Sequence, residues 1–395
     1  MSVPARLEMP EEVLEIARTL EAAGYEAWCV GGALRDHLLG DPHSDIDFAT
    51  SARPEEVRRL FRRTAAVGIK YGTVGVLDRQ RVLHEVTTFR RDVSTDGRHA
   101  VVEYGVSLEE DLARRDFTIN AIAYHPLRGE WRDPFRGADD LERRVVRAVG
   151  DPAERFREDY LRILRAVRFA ARFEFAVDPD TWEAARAAAP GLARLSAERV
   201  RDEWLKGLET AQDPAELVRL WTEVGAARVW LPELLAPRLP VDVEAARARP
   251  RDPVRLTAAY ASSDPIAALV RLKASNAERA RAAAIASGPA APAETSEAGV
   301  RRWLAAVGGA ADDLLGMHVL RHGVEPAWAP LVRLIRERGD AVSRSQLTID
   351  GRDVQQLGAT GPRVGEILAK LLDRVLGDPA LNTRERLLDL ARELL

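Results

Sequence analysis

The sequence predicts an α+β fold, with a mixed-sheet head over residues 1–144 and an all-helical remainder. Three observations carry this. Strand-like runs are confined to the first part of the chain, in YEAWCV (25–30), GTVGVL (72–77) and RVLHEVTTF (81–89). From about residue 145 they fade, and apolar residues recur at helical spacing, as at Leu164, Val167 and Ala171. The chain has 395 residues, 46% of them hydrophobic and 30% charged, which suits an ordinary globular protein of two or more domains.

Composition also narrows the function classes. No apolar run approaches the ~20 residues of a membrane span. The first residues, MSVPARLEMPEE, lack the apolar centre of a signal peptide. The single cysteine, Cys29, excludes a disulfide framework and a thiolate metal site, and its expected role is a small core residue. A cytoplasmic protein without membrane contact is expected. A net charge of −4 argues against non-specific wrapping of nucleic acid, so an RNA contact would need a local basic patch.

In chain order, residues 10–24 form a helix with Val13, Ile16, Ala17 and Leu20 on one side, ended by Gly24. YEAWCV alternates polar and apolar residues around Trp28, as a strand does. Gly31–Gly32 lets the backbone approach a ligand, and the short helix ALRDHLLG presents free N–H groups beside Gly32, a natural phosphate seat. Asp45-Ile46-Asp47 on a strand sends both carboxylates to one face and Ile46 into the core. Adjacent carboxylates repel unless a cation lies between them, and Mg²⁺ prefers few carboxylates plus phosphate oxygens. PEEVRRLFRRT is a helix with Pro54 in its first turn and Val57, Leu60 and Phe61 facing inward.

The strands at 72–77 and 81–89 are joined by Asp78-Arg79-Gln80. In the second, Leu83, Glu85 and Thr87 share a face, so Glu85 is either a third carboxylate beside the Asp pair or an exposed strand residue. Residues 90–104 read as a polar loop with a strand-like end. Ser107 and Glu110 form a capping box. Arg114 and Arg115 can hold a triphosphate. Asp116 and Asn120, an i,i+4 pair if helical, can bond each other and a ribose hydroxyl.

FREDYLRILRAVRFAARF (156–173) reads as one helix. Asp159, Arg162, Arg165 and Arg168 recur every three residues along it and make a slanting polar stripe. A capped helix at 195–209 and a helix–Gly–helix unit at 216–234 follow. Residues 287–299 are Ala/Pro/Ser-rich and read as a linker. His318 and His322 lack a third ligand and make a poor zinc site. The turn at 361–365 could meet an RNA phosphate or simply pack. Most tryptophans read as core.

Gly-Gly-x-x-Arg-Asp at 31–36 followed by Asp45-x-Asp47 resembles the first motif of the DNA polymerase β superfamily of nucleotidyltransferases. More narrowly it is similar to the class II tRNA nucleotidyltransferases (CCA-adding enzymes) and the related bacterial poly(A) polymerases. RRDFTINA (114–121) resembles their second motif, DPFRGADDL (133–141) the third, and Glu158-Asp159-x-x-Arg162 with Arg165-x-x-Arg168-Phe169 the base-selecting motif.

The resemblance implies a nucleotidyltransferase head at 1–144, a helical neck at 145–210, a body at 211–286, the linker at 287–299 and a tRNA-binding tail at 300–395. It implies transfer of C and/or A from CTP and ATP to the 3′ acceptor end of tRNA by a two-metal Mg²⁺ mechanism. Asp45 and Asp47 would bind metal, with Glu85 a candidate. Gly32, Arg35, Arg115, Arg165 and Arg168 would grip the nucleotide, with Asp116 and Asn120 beside it. Asp96 and Arg98 would sit in a flexible loop assisting the switch from C to A addition, although Ala100 departs from the Pro often found there.

Asp159 and Arg162 would act as a protein template. Cytosine and adenine both offer an amino donor beside an unprotonated ring nitrogen, matching a carboxylate next to a guanidinium. Guanine and uracil present the reverse pattern, and a buried mismatch costs ~10³-fold or more. An A-adding specialist or a poly(A) polymerase fits the same motifs. The loop at 90–100 argues against a CC-only enzyme. Intact Asp45, Asp47, Asp159 and Arg162 speak against a non-catalytic RNA- or nucleotide-binding module. Oligomeric state stays open.

Overall fold

Helix α1 (Glu11–Ala22) buries Val13, Ile16, Ala17 and Leu20, the apolar stripe of the sequence, and ends at Gly24 with φ +87°. The computed structural model describes residues 3–41, 45–69, 72–95 and 100–395. By its contacts the chain divides into two compact units, Met1–Leu235 and Ala236–Leu395.

In the first unit α1 leads into β1 (Ala27–Val30), α2 (Gly32–Leu38), β2 (Asp47–Thr50), α3 (Pro54–Leu60), β3 (Thr64–Ala65), β4 (Thr73–Leu77) and β5 (Leu83–Thr88). β6 (Arg90–Thr95) and β7 (Ala100–Tyr104) pair as a separate hairpin. Then come α4 (Leu108–Ala113), β8 (Ala123–His125), β9 (Glu130–Arg132) and α5 (Gly137–Arg143). Among the described residues the main sheet runs β3-β4-β5-β2-β1-β8-β9. It is mixed: β2 and β5 are parallel, and the other neighbours are antiparallel.

One sequence expectation holds here and one changes. β1 is buried at all four positions, as expected for Trp28 and Cys29, while the polar end of YEAWCV, Tyr25 and Glu26, lies before the strand begins. A strand covered on both faces loses the benefit of alternation. The polar loop at 90–104 is instead strand on both sides, because β6 and β7 satisfy each other's backbone groups despite their charged side chains.

The strand pair β10 (Val145–Val146) and β11 (Ala176–Val177) is short and parallel. Between them lie α6 (Pro152–Glu158) and α7 (Leu161–Phe173). α8 (Pro179–Ala188), α9 (Ala197–Thr210), α10 (Pro214–Glu223) and α11 (Ala226–Trp230) complete this unit. The single helix expected over 156–173 is broken at Asp159, which adopts φ −151° and ψ 105°. The cause is local: the Asp159 side chain accepts a hydrogen bond from the N–H of Leu161, the first residue of α7, at 3.0 Å, satisfying a donor there instead of continuing α6. Leu164, Val167 and Ala171 form the expected seam. Trp204 and Trp221 meet edge-on in the core, ring centroids 4.9 Å apart.

The second unit contains α12 (Val243–Arg247), α13 (Pro253–Tyr260), α14 (Pro265–Arg271), α15 (Asn276–Ser287) and α16 (Glu297–Val307). α17 (Ala311–His322), α18 (Ala329–Arg338), α19 (Gly351–Gln356), α20 (Pro362–Gly377) and α21 (Arg384–Glu393) follow. Trp303 and Trp328 anchor one core, and Val354, Ile367, Leu371 and Val375 a second. Residues 287–299 lie inside this unit, where the Trp303 indole N–H donates to the Pro289 carbonyl at 2.7 Å. Among the described residues no helix is long and apolar enough to cross a membrane.

Candidate active site

The site begins where β1 ends and β2 starts. Val30 lies opposite Asp47 in their antiparallel register, so Gly31 emerges beside the Asp47 carboxylate. Gly31 has φ +83°, a conformation costly for a residue with a Cβ. A Cβ there would stand 3.5 Å from Asp47 Oδ2 and 3.7 Å from an Arg115 guanidinium nitrogen. The turn thus leaves an open cradle between a carboxylate and an arginine.

Ile46 is buried, Asp45 is exposed and Asp47, the first residue of β2, is half-buried; Asp45 lies near enough to act on the Asp47 carboxylate by its charge. β2 and β5 run parallel with Phe48 beside Val86, which places Glu85 next to Asp47. Glu85 is exposed on the same face as Leu83 and Thr87, while His84, Val86 and Thr88 turn inward. The electrostatics of this corner are unfavourable. Burial, then Glu85, then Asp45 push the Asp47 carboxyl up to about 7, against a smaller opposing pull from Arg115. Among the described residues no group of three His, Cys, Asp or Glu forms a metal cage. Repelling carboxylates beside an open cradle fit a divalent cation held by two aspartates and completed by ligand oxygens.

Arg115 is oriented by Asp111, a buried carboxylate that receives Arg115 at 3.1 Å and Arg114 at 2.8 Å. Asp111 was missed in the sequence; only its place in the turn of α4 before the arginine pair could have flagged it. Asp116 and Asn120 bond each other at 2.9 Å, although Asp116 lies beyond the end of α4 and Asn120 closes a 3₁₀ turn, so they share no helix. Asn120 also accepts from Arg35 at 2.5 Å, and Asp116 accepts from Arg165 at 2.7 Å. Arg165, with Asn120 and Arg162, draws the Asp116 carboxyl down to about 2 despite its burial.

Several predicted site residues are committed inward. Arg35 is buried, paired with Asp36 and set over the Phe169 and Phe173 rings. Arg168 is buried against Glu203 at 2.6 Å. Gly32 opens α2, and a Cβ on it would stand 3.3 Å from the Arg35 guanidinium. Asp159 and Arg162 are held by different partners. Asp159 accepts from Arg199 at 2.7 Å, whereas Arg162 donates to Glu158 at 2.6 Å and to the Arg114 and Arg155 carbonyls. Arg199 and Glu203, one turn apart on α9, had no sequence signal beyond helical spacing. Asp96 and Arg98 lie outside the described residues.

A mixed sheet that brings paired carboxylates beside a Gly–Gly turn defines a nucleotidyltransferase head. Residues 27–147 match the family described as "Poly A polymerase head domain", and residues 174–236 the one described as "Probable RNA and SrmB- binding site of polymerase A". The chain is similar to the crystal structure of the Bacillus stearothermophilus CCA-adding enzyme in complex with CTP. That likeness has 33% identity and a TM-score of 0.79, and it covers 97% of this chain and 96% of the other. The chain belongs to the family of CCA-adding enzymes.

The Streptococcus gordonii CCA-adding enzyme is 50% identical over 210 residues, and that of Streptococcus suis is 46% identical over 214. Each match spans about half of this chain and about half the length of the relative: 50% and 52% for the first, 51% and 53% for the second. The Thermotoga maritima CCA-adding enzyme complexed with tRNA_CCA shares the fold at 20% identity, with a TM-score of 0.65 and coverage of 98% of this chain and 96% of the other.

Proposed function

We propose that this chain is a template-independent tRNA nucleotidyltransferase, adding C and A from CTP and ATP to the 3′ end of tRNA and releasing pyrophosphate. The observation that carries it is Asp47, placed between Asp45, Glu85 and the Gly31 cradle with Arg115 across the gap. Asp45 and Asp47 would hold Mg²⁺, with Glu85 beside them. When bound, Mg²⁺ neutralises the triphosphate and lowers the pKa of the attacking 3′-OH.

The chain's own residues do the rest. Arg115, fixed by Asp111, offers guanidinium donors to triphosphate oxygens where they would lie against Asp47. The Arg35–Asn120–Asp116–Arg165 chain ties α2, the 3₁₀ turn and α7 into one wall. Arg35 and Arg168 support that wall from behind. Asp159 offers an acceptor for the amino group of cytosine or adenine, and Arg162 a donor for the ring nitrogen. Both are charged groups near the α6–α7 break, where the backbone leaves helical geometry. Residues 300–395 are assigned to holding tRNA. The lone Cys29 is fully buried, where burial and Asp47 push its thiol up and keep it unreactive, as suits a cytoplasmic protein.

The test uses three tRNAs lacking the whole CCA end, the final CA, or only the terminal A, each incubated with one nucleotide at a time. CTP should extend the first two, and ATP only the third. ATP addition to the third tRNA with no CTP incorporation on any would instead mark an A-adding specialist, and ATP addition to all three a poly(A) polymerase. No incorporation with any pair would leave a non-catalytic module.

A further inference from the structure

The peptide that carries the carboxylate pair enters β2 before the strand ladder begins. Pairing with β5 starts at Phe48 beside Val86, and β2 itself starts at Asp47. One position earlier on the inward face, Ile46 meets His84. The imidazole Nδ1 lies 2.9 Å from the Ile46 carbonyl oxygen. A carbonyl can only accept, so Nδ1 carries the hydrogen.

The ring is fixed on its other sides. Its Nε2 lies 3.4 Å from Asp78 Oδ2, a hydrogen bond only when Nε2 is protonated as well, and the other Asp78 oxygen accepts from the Val82 N–H at 2.8 Å. Phe48 meets it at a steep angle, centroids 6.5 Å apart. His84 has no exposed surface, and a buried polar ring carries a desolvation cost that Phe or Leu would not. Nothing in the proposed chemistry uses it. The Ile46 carbonyl belongs to the peptide joining Ile46 to Asp47, so its direction sets where Asp47 leaves the chain.

We infer that His84 is a positioning residue, whose Nδ1–H bond to the Ile46 carbonyl aims the Asp45 and Asp47 carboxylates at a shared cation. This rests on the metal-pair reading above. Partners of this kind beyond the ligands affect metal affinity about tenfold or more.

The test is Mn²⁺ binding by the full chain with a non-hydrolysable CTP analogue, read as loss of the free Mn²⁺ electron paramagnetic resonance signal. Alongside it, kcat and the KM for CTP are measured at saturating metal. His84→Phe should weaken Mn²⁺ binding about tenfold or more while leaving that KM unchanged. His84→Asn, whose side-chain N–H₂ stands where Nδ1 stands, should restore most of the affinity. His84→Gln reaches toward Asp78 instead and should not. Wild-type Mn²⁺ affinity in His84→Phe, or equal rescue by Asn and Gln, overturns the inference. If His84→Phe fails to fold, the Asn–Gln difference decides alone. Asp47→Ala separates the two readings. If it keeps normal Mn²⁺ binding, the metal pair falls and His84 with it. If it loses Mn²⁺ while His84→Phe retains it, only the positioning role falls.

Discussion

Asp47 and Asp116 are carboxylates of one head, both pushed upward by burial, yet they end at opposite extremes. For Asp47 the neighbours are Glu85 and Asp45, which push the same way as burial, and the carboxyl sits at about 7. For Asp116 they are Arg165, Asn120 and Arg162, and the carboxyl sits at about 2. The Asp116 region is electrostatically closed: its charge is answered by this chain's own arginines and amide. The Asp47 corner is open, because among the described residues the pull of Arg115 is smaller than the combined push of burial, Glu85 and Asp45. Strongly perturbed groups of both kinds occur in active sites, and the sign of the neighbours separates ligand-holding charge from framework charge.

The largest expected effect breaks the open corner. Asp45→Ala or Asp47→Ala should lower nucleotide transfer by about 10³-fold, while the thermal midpoint stays level or rises because a repelling charge is gone. Single-turnover incorporation and calorimetry check both halves. Near-normal incorporation by either variant would sink the contrast. The closed region should respond in the opposite sense. Asp116→Ala leaves the Asn120 amide without its acceptor and Arg165 with Glu203 alone, 3.9 Å away, and should cost about 2 kcal/mol of stability. Urea unfolding measures this, and an unchanged midpoint would mean the Arg165 pair contributes nothing.

Acid sharpens the same comparison. The Asp116 carboxyl lies below its ordinary value of 3.8 in the folded chain. The unfolded state therefore binds more protons between about pH 4 and pH 2. Its stabilising contribution is complete above pH 4 and disappears as pH falls toward 2, for a total of roughly 2 kcal/mol. Acid titration of wild type against Asp116→Asn should show a stability gap that closes across that window. A gap that stayed constant from pH 6 to pH 2 would contradict the depressed value.

Much of this was legible in the residues. The α1 stripe, the Ser107 cap and the Asp116–Asn120 bond follow from local spacing, and the structure shows each of them. What escaped depended on long-range partners. Asp159 belongs to a helix by periodicity, but its carboxylate competes for the Leu161 N–H and ends α6 there. Arg35 and Arg168, expected to grip the nucleotide, have their partners in Phe169, Asn120 and Glu203, which no local spacing brings to them. His84 has no spacing signature, because its meaning comes from the register of β2 against β5. Periodicity reports which face a residue is on, but not what stands opposite.

The smallest effect concerns base choice at the α6–α7 break, which lies between the open and closed extremes. Asp159 is held by the Leu161 N–H on one oxygen and by Arg199 on the other, and both side chains of that ion pair keep about 30% of their surface exposed. Asp159→Ala removes the acceptor for the amino group outright, so it should admit UTP or GTP instead of merely abolishing activity. Arg199→Met keeps the acceptor but frees one oxygen to turn. A partly exposed pair is worth about 1 kcal/mol or less, so discrimination against UTP should fall only about fivefold, well short of the Asp159→Ala loss. Single-nucleotide incorporation with all four triphosphates on one truncated tRNA compares the two variants. Strict C and A selection at normal efficiency in Asp159→Ala would move base choice to the RNA end. A loss in Arg199→Met as large as in Asp159→Ala would make Arg199 part of the template itself.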